Sequence, residues 1–578
     1  MSTPFPRATG QPIAPVLVTL GAVIVWLALL APAATAGTQP AIPRSPRDGR
    51  CLTPMAKALP MATAPRGIDP ATTAVGPPPN PQVGDEWLWY IWRLNGFPMA
   101  DLRPCTVRGM GNHCYVVVEN SQWNVNINQA DVNVIVDRFD HHSIGATPNL
   151  GIYDIDVAAF GTPPDRLDQD PRIYVLYYDF DVNADGYFWA FDEFPDGSQA
   201  FSSNECEVLY LNDSDFDPAG DYMTSVVAHE FEHMIHFEYD EDELPWVDEG
   251  MGELAMWLYG HPDQISQFNT NPDNNLTVWS STWTDYIQTY LWSLYFYERY
   301  GGANAAFKVV HEPANSTLGY DNVLDQLGYS ANFEDVFADW TVANYLDNPA
   351  VGDGRFGYVG ETLPAFSHSA THGTYPVGPV NATVNHWAAD YVQFTSPPIG
   401  LTLGFDGNNA TRNACWAIEL DPSQLPRVTR VTLDPGQAGT IALPDVGTLY
   451  SRAVLVAADI FASGSTSYAY TGAAPVTEVA AAGAPGAVLR LLGAAPNPFA
   501  IETGVRLELD RPQSVRLTVV DAQGRVCRTL VDRALAAGLH TIPWDGRNAA
   551  HGELANGVYF FRLEADGAEA VGRVLLAR

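Results

Sequence analysis

His229, Glu230 and His233 are the residues of this chain best suited to do chemistry, and what they could do is hold and use a metal ion. They form the string His229-Glu230-Phe231-Glu232-His233, inside a segment from Tyr222 to Tyr239. There Met223, Val226, Val227, Met234 and Phe237 recur at helical spacing. Residues four apart share one helix face, so both imidazoles can reach one ion. Glu230 is one position round, too displaced to be a ligand from this helix but close enough to touch a metal-bound water. Neutral imidazole suits zinc, and a catalytic zinc takes three protein ligands and keeps a fourth position for water. The third ligand must come from elsewhere. Glu249 is the natural candidate and is expected to open a second short helix. A merely solvated His/Glu face is the plainer reading; the apolar far side of the helix and the well-placed Glu249 speak against it.

A second oxygen-rich stretch runs Asp181-Val182-Asn183-Ala184-Asp185-Gly186. Its spacing would put alternating oxygens of Asp181, Asn183 and Asp185 around a calcium ion, with Gly186 allowing the sharp turn. Position twelve is Asp192 where a bidentate Glu is usual, and a strand precedes the loop, so an EF-hand is not expected. An Asp/Asn-rich turn without metal reads the same residues equally well.

The strings His229-Glu230-Phe231-Glu232-His233-Met234-Ile235 and Trp246-Val247-Asp248-Glu249-Gly250-Met251-Gly252-Glu253 resemble those of the zincin metallopeptidases. The likeness is to their glutamate-ligand branch, and within it to the hyicolysin-type secreted bacterial proteases. Val247 and Asp248 stand where that family has Leu and Asn. The metzincin pattern would need Gly at 236 and a His or Asp ligand at 239; this chain has His236 and Tyr239. The resemblance implies that Glu249 is the third zinc ligand, with Gly250 leaving room beside a crowded metal. It also implies that Glu253 orients a ligand imidazole, an exposed helix Glu being the plainer reading. A tyrosine, Tyr286 or Tyr290, would stabilise the oxyanion. His141 and His142 are expected at a helix end, and His236 in packing or behind the ligands.

These residues need a scaffold, and 578 residues are enough for three or four domains. Strand patterns at Trp87–Tyr90 and Cys114–Glu119 and, after a helical one at 128–139, at Arg172–Tyr178 precede helical ones at 222–239, 249–259 and 286–300. The expected fold class is therefore an α+β zincin-like catalytic domain, 81–350, followed by two all-β sandwich domains. The first, 351–479, is read from alternating segments between regular turns. After an Ala/Gly-rich linker at 480–487 comes a unit at 488–578. Its strings Pro496-Asn497-Pro498-Phe499, Trp544-Asp545-Gly546-Arg547 and Asn556-Gly557-Val558-Tyr559-Phe560 resemble the Ig-like domain of the flagellar hook-capping protein and type IX secretion sorting domains. That likeness implies a role in sorting or surface retention through secretion machinery; a plain structural module is the other reading.

The N-terminus sets the expected compartment. A weakly basic start, an apolar stretch from Ala14 to Leu30 and Ala34-Thr35-Ala36 read as a signal peptide, 1–36, with no stable membrane span after its cleavage. Residues 37–80, rich in Pro, Ala and Thr, read as a linker or short propeptide. Against 30 Lys and Arg stand 67 Asp and Glu, a net charge of −37 that makes nucleic acid a poor partner. Of six cysteines, Cys105 and Cys114 are close enough for a local disulfide; Cys51, Cys206, Cys415 and Cys527 are scattered, none at metal-ligand spacing.

The expectation is a secreted or cell-surface bacterial zinc endopeptidase acting on proteins or peptides, with Glu230 as general base. The alternatives are a catalytically inactive surface binding or adhesion protein and a zinc exopeptidase. The latter needs an acidic anchor for a free amino terminus, and no motif such as GxMEN precedes the helix.

Overall fold

A computed structural model of the chain describes residues 51–54, 76–93, 99–180, 182–199, 201–214, 216–460, 464–474, 489–509, 511–521, 524–565 and 568–578. The expected signal peptide, most of the 37–80 stretch, the 480–487 linker and Asp181 lie outside the described residues. Among those residues no helix is long and apolar enough to cross a membrane.

Six strands build the sheet that carries the site: β1 (Glu86–Arg93), β2 (Met99–Met110), β3 (Cys114–Glu119), β4 (Ile173–Tyr178), β5 (Gly186–Phe188) and β6 (Val208–Asn212). Their order is β1-β2-β3-β4-β6-β5. β3, β4 and β6 run parallel, while β5 is an antiparallel edge strand. Every residue of β3, β4 and β6 is buried, the pattern of strands covered on both faces. Alternate side chains divide between two cores. Val116, Val118, Val175, Tyr177, Leu209 and Leu211 pack against the helices. Tyr115, Val117, Tyr174, Leu176, Tyr178 and Tyr210 join an aromatic layer with Trp89, Trp92 and Trp189 on the other side. This alternation settles the cysteines. Cys105 belongs to the aromatic layer and Cys114 to the helical one, so the sheet separates them and the expected disulfide does not form; all six cysteines are free.

Among the described residues eight α-helices follow the sequence signals in part: α1 (Gln129–Asp140), α2 (Ile152–Ala159), α3 (Asp221–Tyr239), α4 (Pro245–Tyr259), α5 (Trp283–Tyr300), α6 (Ala303–Val310), α7 (Ser316–Leu327) and α8 (Phe333–Leu346). α1 starts on a capping box, Asn128 accepting from the Ala130 N–H while Asp131 accepts from the Asn128 N–H. α4 begins at Pro245, so Glu249 lies in its second turn and does not open it as expected. The overlooked signal is proline at the first helical position, where its missing N–H is harmless. α5 likewise starts earlier than expected, at a Thr282–Asp285 capping box.

No α-helix follows α8 among the described residues. A four-stranded sheet (377–385, 401–407, 438–443, 465–473) and a three-stranded one (413–420, 427–430, 452–459) enclose a core that includes Leu403, Phe405, Cys415, Leu455 and Tyr470. The boundary expected at 351 does not separate two cores. Asn413–Leu420 is buried at every position, and its other face puts Trp416 and Ile418 into the helical core. Trp387 stands edge-on to Phe333 and Phe337 of α8, with ring centroids 4.7 and 5.0 Å away. Trp387→Ala is therefore expected to cost about 3–5 kcal/mol. It should lower one shared calorimetric transition of helices and sandwich, not a transition belonging to the sandwich alone.

The C-terminal unit has its own core, around Phe499, Leu507, Leu517, Trp544 and Phe561. It is formed between a sheet of strands 489–495, 503–509 and 538–544 and a sheet of 513–520, 526–535, 557–565 and 568–576.

Candidate metal centre

α3 is buried without a break from Met223 to Phe237, so its polar face has no water to turn to and must find partners inside the protein. Its partner is α4. Glu249 Oε2 lies 3.3 Å from His229 Nε2, and Glu249 Oε1 lies 3.7 Å from His233 Nε2. The two imidazoles stand nearly perpendicular, ring centroids 4.7 Å apart. The backbone makes room for this crowding at two glycines. A Cβ on Gly252 would sit 2.9 Å from the His229 ring, and one on Gly186 of β5 would sit 2.9 Å from Cγ and Oε1 of Glu230. The space expected from Gly250 is on the far side, where that residue lets Ser293 and Thr289 of α5 approach.

Behind the ligands lies a buried acidic layer. Glu253 Oε1 is 3.6 Å from His229 Nδ1, on the ring edge away from Glu249, as expected of a residue that orients the imidazole. Asp248, which the sequence reading treated only as a replacement for Asn, lies 3.2 Å from His233 Nδ1 and 3.4 Å from His236 Nδ1. Glu232 adds a second carboxylate at His236, 3.3 Å away, so His236 packs behind the ligands. Burial raises several of these carboxyls above their ordinary range. It pushes Glu230 up to about 8, with Glu249 adding to the shift and His229 opposing it. It also raises Glu253 and Asp156 well above the usual carboxylate range.

The donor set fits zinc. His229 is buried, yet neither ring nitrogen makes a hydrogen bond among the described residues. One ligand atom from each of His229, His233, Glu249 and Cys51 lies within 4.8 Å of the other three. Ligands at zinc distances of about 2.0–2.3 Å, tetrahedrally arranged, stand about 3.3–3.8 Å apart. Cys51 is the residue the sequence reading missed. Nothing in its spacing marked it, because it comes from the stretch read as linker, far from the helix in sequence.

The two tyrosines part company. Tyr286 lines the cavity beside His229 and Glu230 and hydrogen-bonds the backbone of Cys51. Tyr290 gives its hydroxyl to Glu361, 2.5 Å away. The two described carboxylates of the oxygen-rich loop face different partners. Asp185 accepts from the Tyr222 hydroxyl at the cavity, whereas Asp192 is turned to Tyr210 and the Asn204 N–H. No metal-capable group of three His, Cys, Asp or Glu among the described residues includes Asp185 or Asp192. Gly186 is the first residue of β5.

Asp192 has a different consequence. Burial raises its carboxyl to about 7, and likewise Asp213 and Glu243 to about 7. A carboxyl raised on folding binds its proton more tightly in the native state. Its contribution is thus intact below about pH 4 and is lost as pH rises through 7. The melting temperature should fall by a few degrees between pH 5 and 8. Asp192→Asn should flatten that slope in a thermal-melt series.

The family match lies at the far end of the chain. Residues 500–569 match the FlgD Ig-like domain. The C-terminal unit is Ig-like. Over 74 residues the chain is 36% identical to the basal-body rod modification protein FlgD of Salmonella typhimurium, and equally to that of Salmonella typhi. This aligned stretch is 13% of the chain and 32% of each relative, so the chain spans about a third of the curated proteins it matches. Among solved structures, dimeric latent PorU from Porphyromonas gingivalis aligns over 37% of this chain and 19% of its own, at 13% identity and a TM-score of 0.15. PorZ, a surface component of the type-IX secretion system of the same organism, aligns over 19% and 14%, at 18% identity and a TM-score of 0.12.

Proposed function

We propose that the chain is a zinc-dependent endopeptidase of the glutamate-zincin type, exported by a bacterium and carried to its destination by the Ig-like unit. The observation that carries this reading is the convergence of His229, His233 and Glu249, with Glu253 and Asp248 behind the imidazoles. A zinc ion held there supplies Lewis acidity and a coordinated water whose pKa falls to about 7.

The chain's own residues would do the rest. Glu253 and Asp248 fix the tautomers that turn each Nε2 towards the ion. Glu230, wholly buried beside the cluster, holds the proton taken from the attacking water and passes it to the departing amine. Tyr286 donates its hydroxyl to the carbonyl oxygen as that atom gains negative charge. Calcium has no part in this reading.

One observation favours a second reading. The cavity next to the ligands is lined by Asp185, Glu253 and Asp263, which could anchor a free amino terminus as an exopeptidase would. Metal analysis of purified protein, casein digestion and mapping of the new peptide ends test both. Internal cleavage supports the endopeptidase, and single-residue release the exopeptidase. Bound zinc without hydrolysis, even after Cys51 is replaced, would favour an inactive binding protein.

Because the Ig-like unit has a core of its own, a chain ending near Ala480 is expected to keep both zinc and peptidase activity while losing delivery. Loss of zinc from that shortened chain, measured by metal analysis, would tie the unit to the catalytic fold.

A further inference from the structure

We propose that Cys51 is a fourth protein ligand of the metal held by His229, His233 and Glu249, and that residues 51–53 plug the substrate cleft of their own chain. The inference rests on the zinc reading above and deepens it. Cys51 Sγ lies 3.4 Å from His233 Nε2, matching the spacing between the other ligand atoms. Cysteine thiolate is among the best zinc ligands, and a site with four protein ligands is closed to water. Ligation takes the sulfur as thiolate and releases the thiol proton to solvent. Independently, neither ring nitrogen of the buried His229 makes a hydrogen bond among the described residues, and the groups that face them, Glu249 and Glu253, are carboxylates, as expected of a side chain that waits for an ion.

The cysteine does not come alone. Thr53, fully buried, donates its hydroxyl to Glu230 Oε2 at 3.0 Å and accepts from the Phe188 N–H at 2.9 Å. The Cys51 N–H donates to the Tyr286 oxygen at 3.1 Å, and the Tyr286 hydroxyl faces the Cys51 carbonyl at 3.3 Å. The metal, the base and the oxyanion donor are each occupied by this one short segment. The backbone is occupied too. β5 pairs with β6 on one side only, and along its open edge Cys51 forms a parallel bridge with Gly186 while Leu52 N–H donates to the Gly186 carbonyl at 3.2 Å. An open sheet edge is where an extended peptide adds as a further strand. Residues 51–53 therefore stand where a substrate would lie, and the chain in this form is latent.

The test uses the full chain loaded with zinc. X-ray absorption should find one sulfur at about 2.3 Å from the metal, and that shell should vanish in Cys51→Ala and in Cys51→Ser. Casein turnover should rise on the order of 10²-fold in both variants, since a tethered ligand acts at high effective concentration. The double variant Cys51→Ala/Thr53→Val should turn over at least as fast, because it also frees Glu230. Zinc bound without sulfur, or equal turnover by the unaltered chain and all three variants, would overturn the plug and leave the peptidase reading standing. Failure of every form to take up zinc would overturn both.

Discussion

Glu230→Gln, placed in a chain whose Cys51 is alanine, is expected to slow casein hydrolysis by about 10²–10⁴-fold while zinc stays at full stoichiometry. Glutamine keeps the shape of the side chain and can still accept the Thr53 hydroxyl, but it cannot take up a proton. Position argues for the size of the effect. Glu230 is fully buried, and its Cγ and Oε1 take the space that a Cβ at position 186 would need, so the backbone there leaves room for the base. Oε1 has no hydrogen-bond partner among the described residues, which leaves it free to face the reacting water. Loss of zinc along with activity would mean that Glu230 supports the site without serving as base.

Glu249→Gln is expected to remove most zinc affinity, and activity with it, because a neutral amide is a poor replacement for an anionic oxygen. Glu253→Gln and Asp248→Asn should each weaken metal affinity or activity by about 10–100-fold, the usual cost of losing a residue that orients a ligand imidazole. Dialysis against limiting chelator followed by metal analysis ranks the three. Geometry sets the order: Glu249 faces the Nε2 edges of both imidazoles, whereas Glu253 and Asp248 face Nδ1. Full zinc retention in Glu249→Gln with loss in Glu253→Gln would exchange their roles.

The sequence made much of this centre readable because its parts are local. Two imidazoles on one helix face follow from the 3.6-residue repeat, and Glu249 from the Trp-x-x-Glu-Gly context nearby. β3 and β4 were visible as unbroken apolar runs. What escaped depends on distance in the chain. Cys51 meets His233 across a separation of 182 residues, with no periodicity to announce it. The alternating segments of 351–479 read as strands, but such a pattern cannot say that Trp416 and Val454 meet the helical core and not solvent. Asp185 and Gly186 fit two readings, since Asp, Asn and Gly are turn formers as well as calcium-loop residues. Here they lead into an edge strand.

The core shared by α8 and the sandwich also imposes a timetable. A chain made from its N-terminus offers Cys51 first, then α3 and α4, and only later the strand Arg452–Asp459 that covers the helices. Synthesis at about 5–20 residues per second puts on the order of ten seconds between the last residue of α8 and that strand. Through that interval the helical core lacks Val454, Val456 and Ala458 of that strand. A cysteine that blocks the centre as proposed is thus made well before the core around the centre is complete.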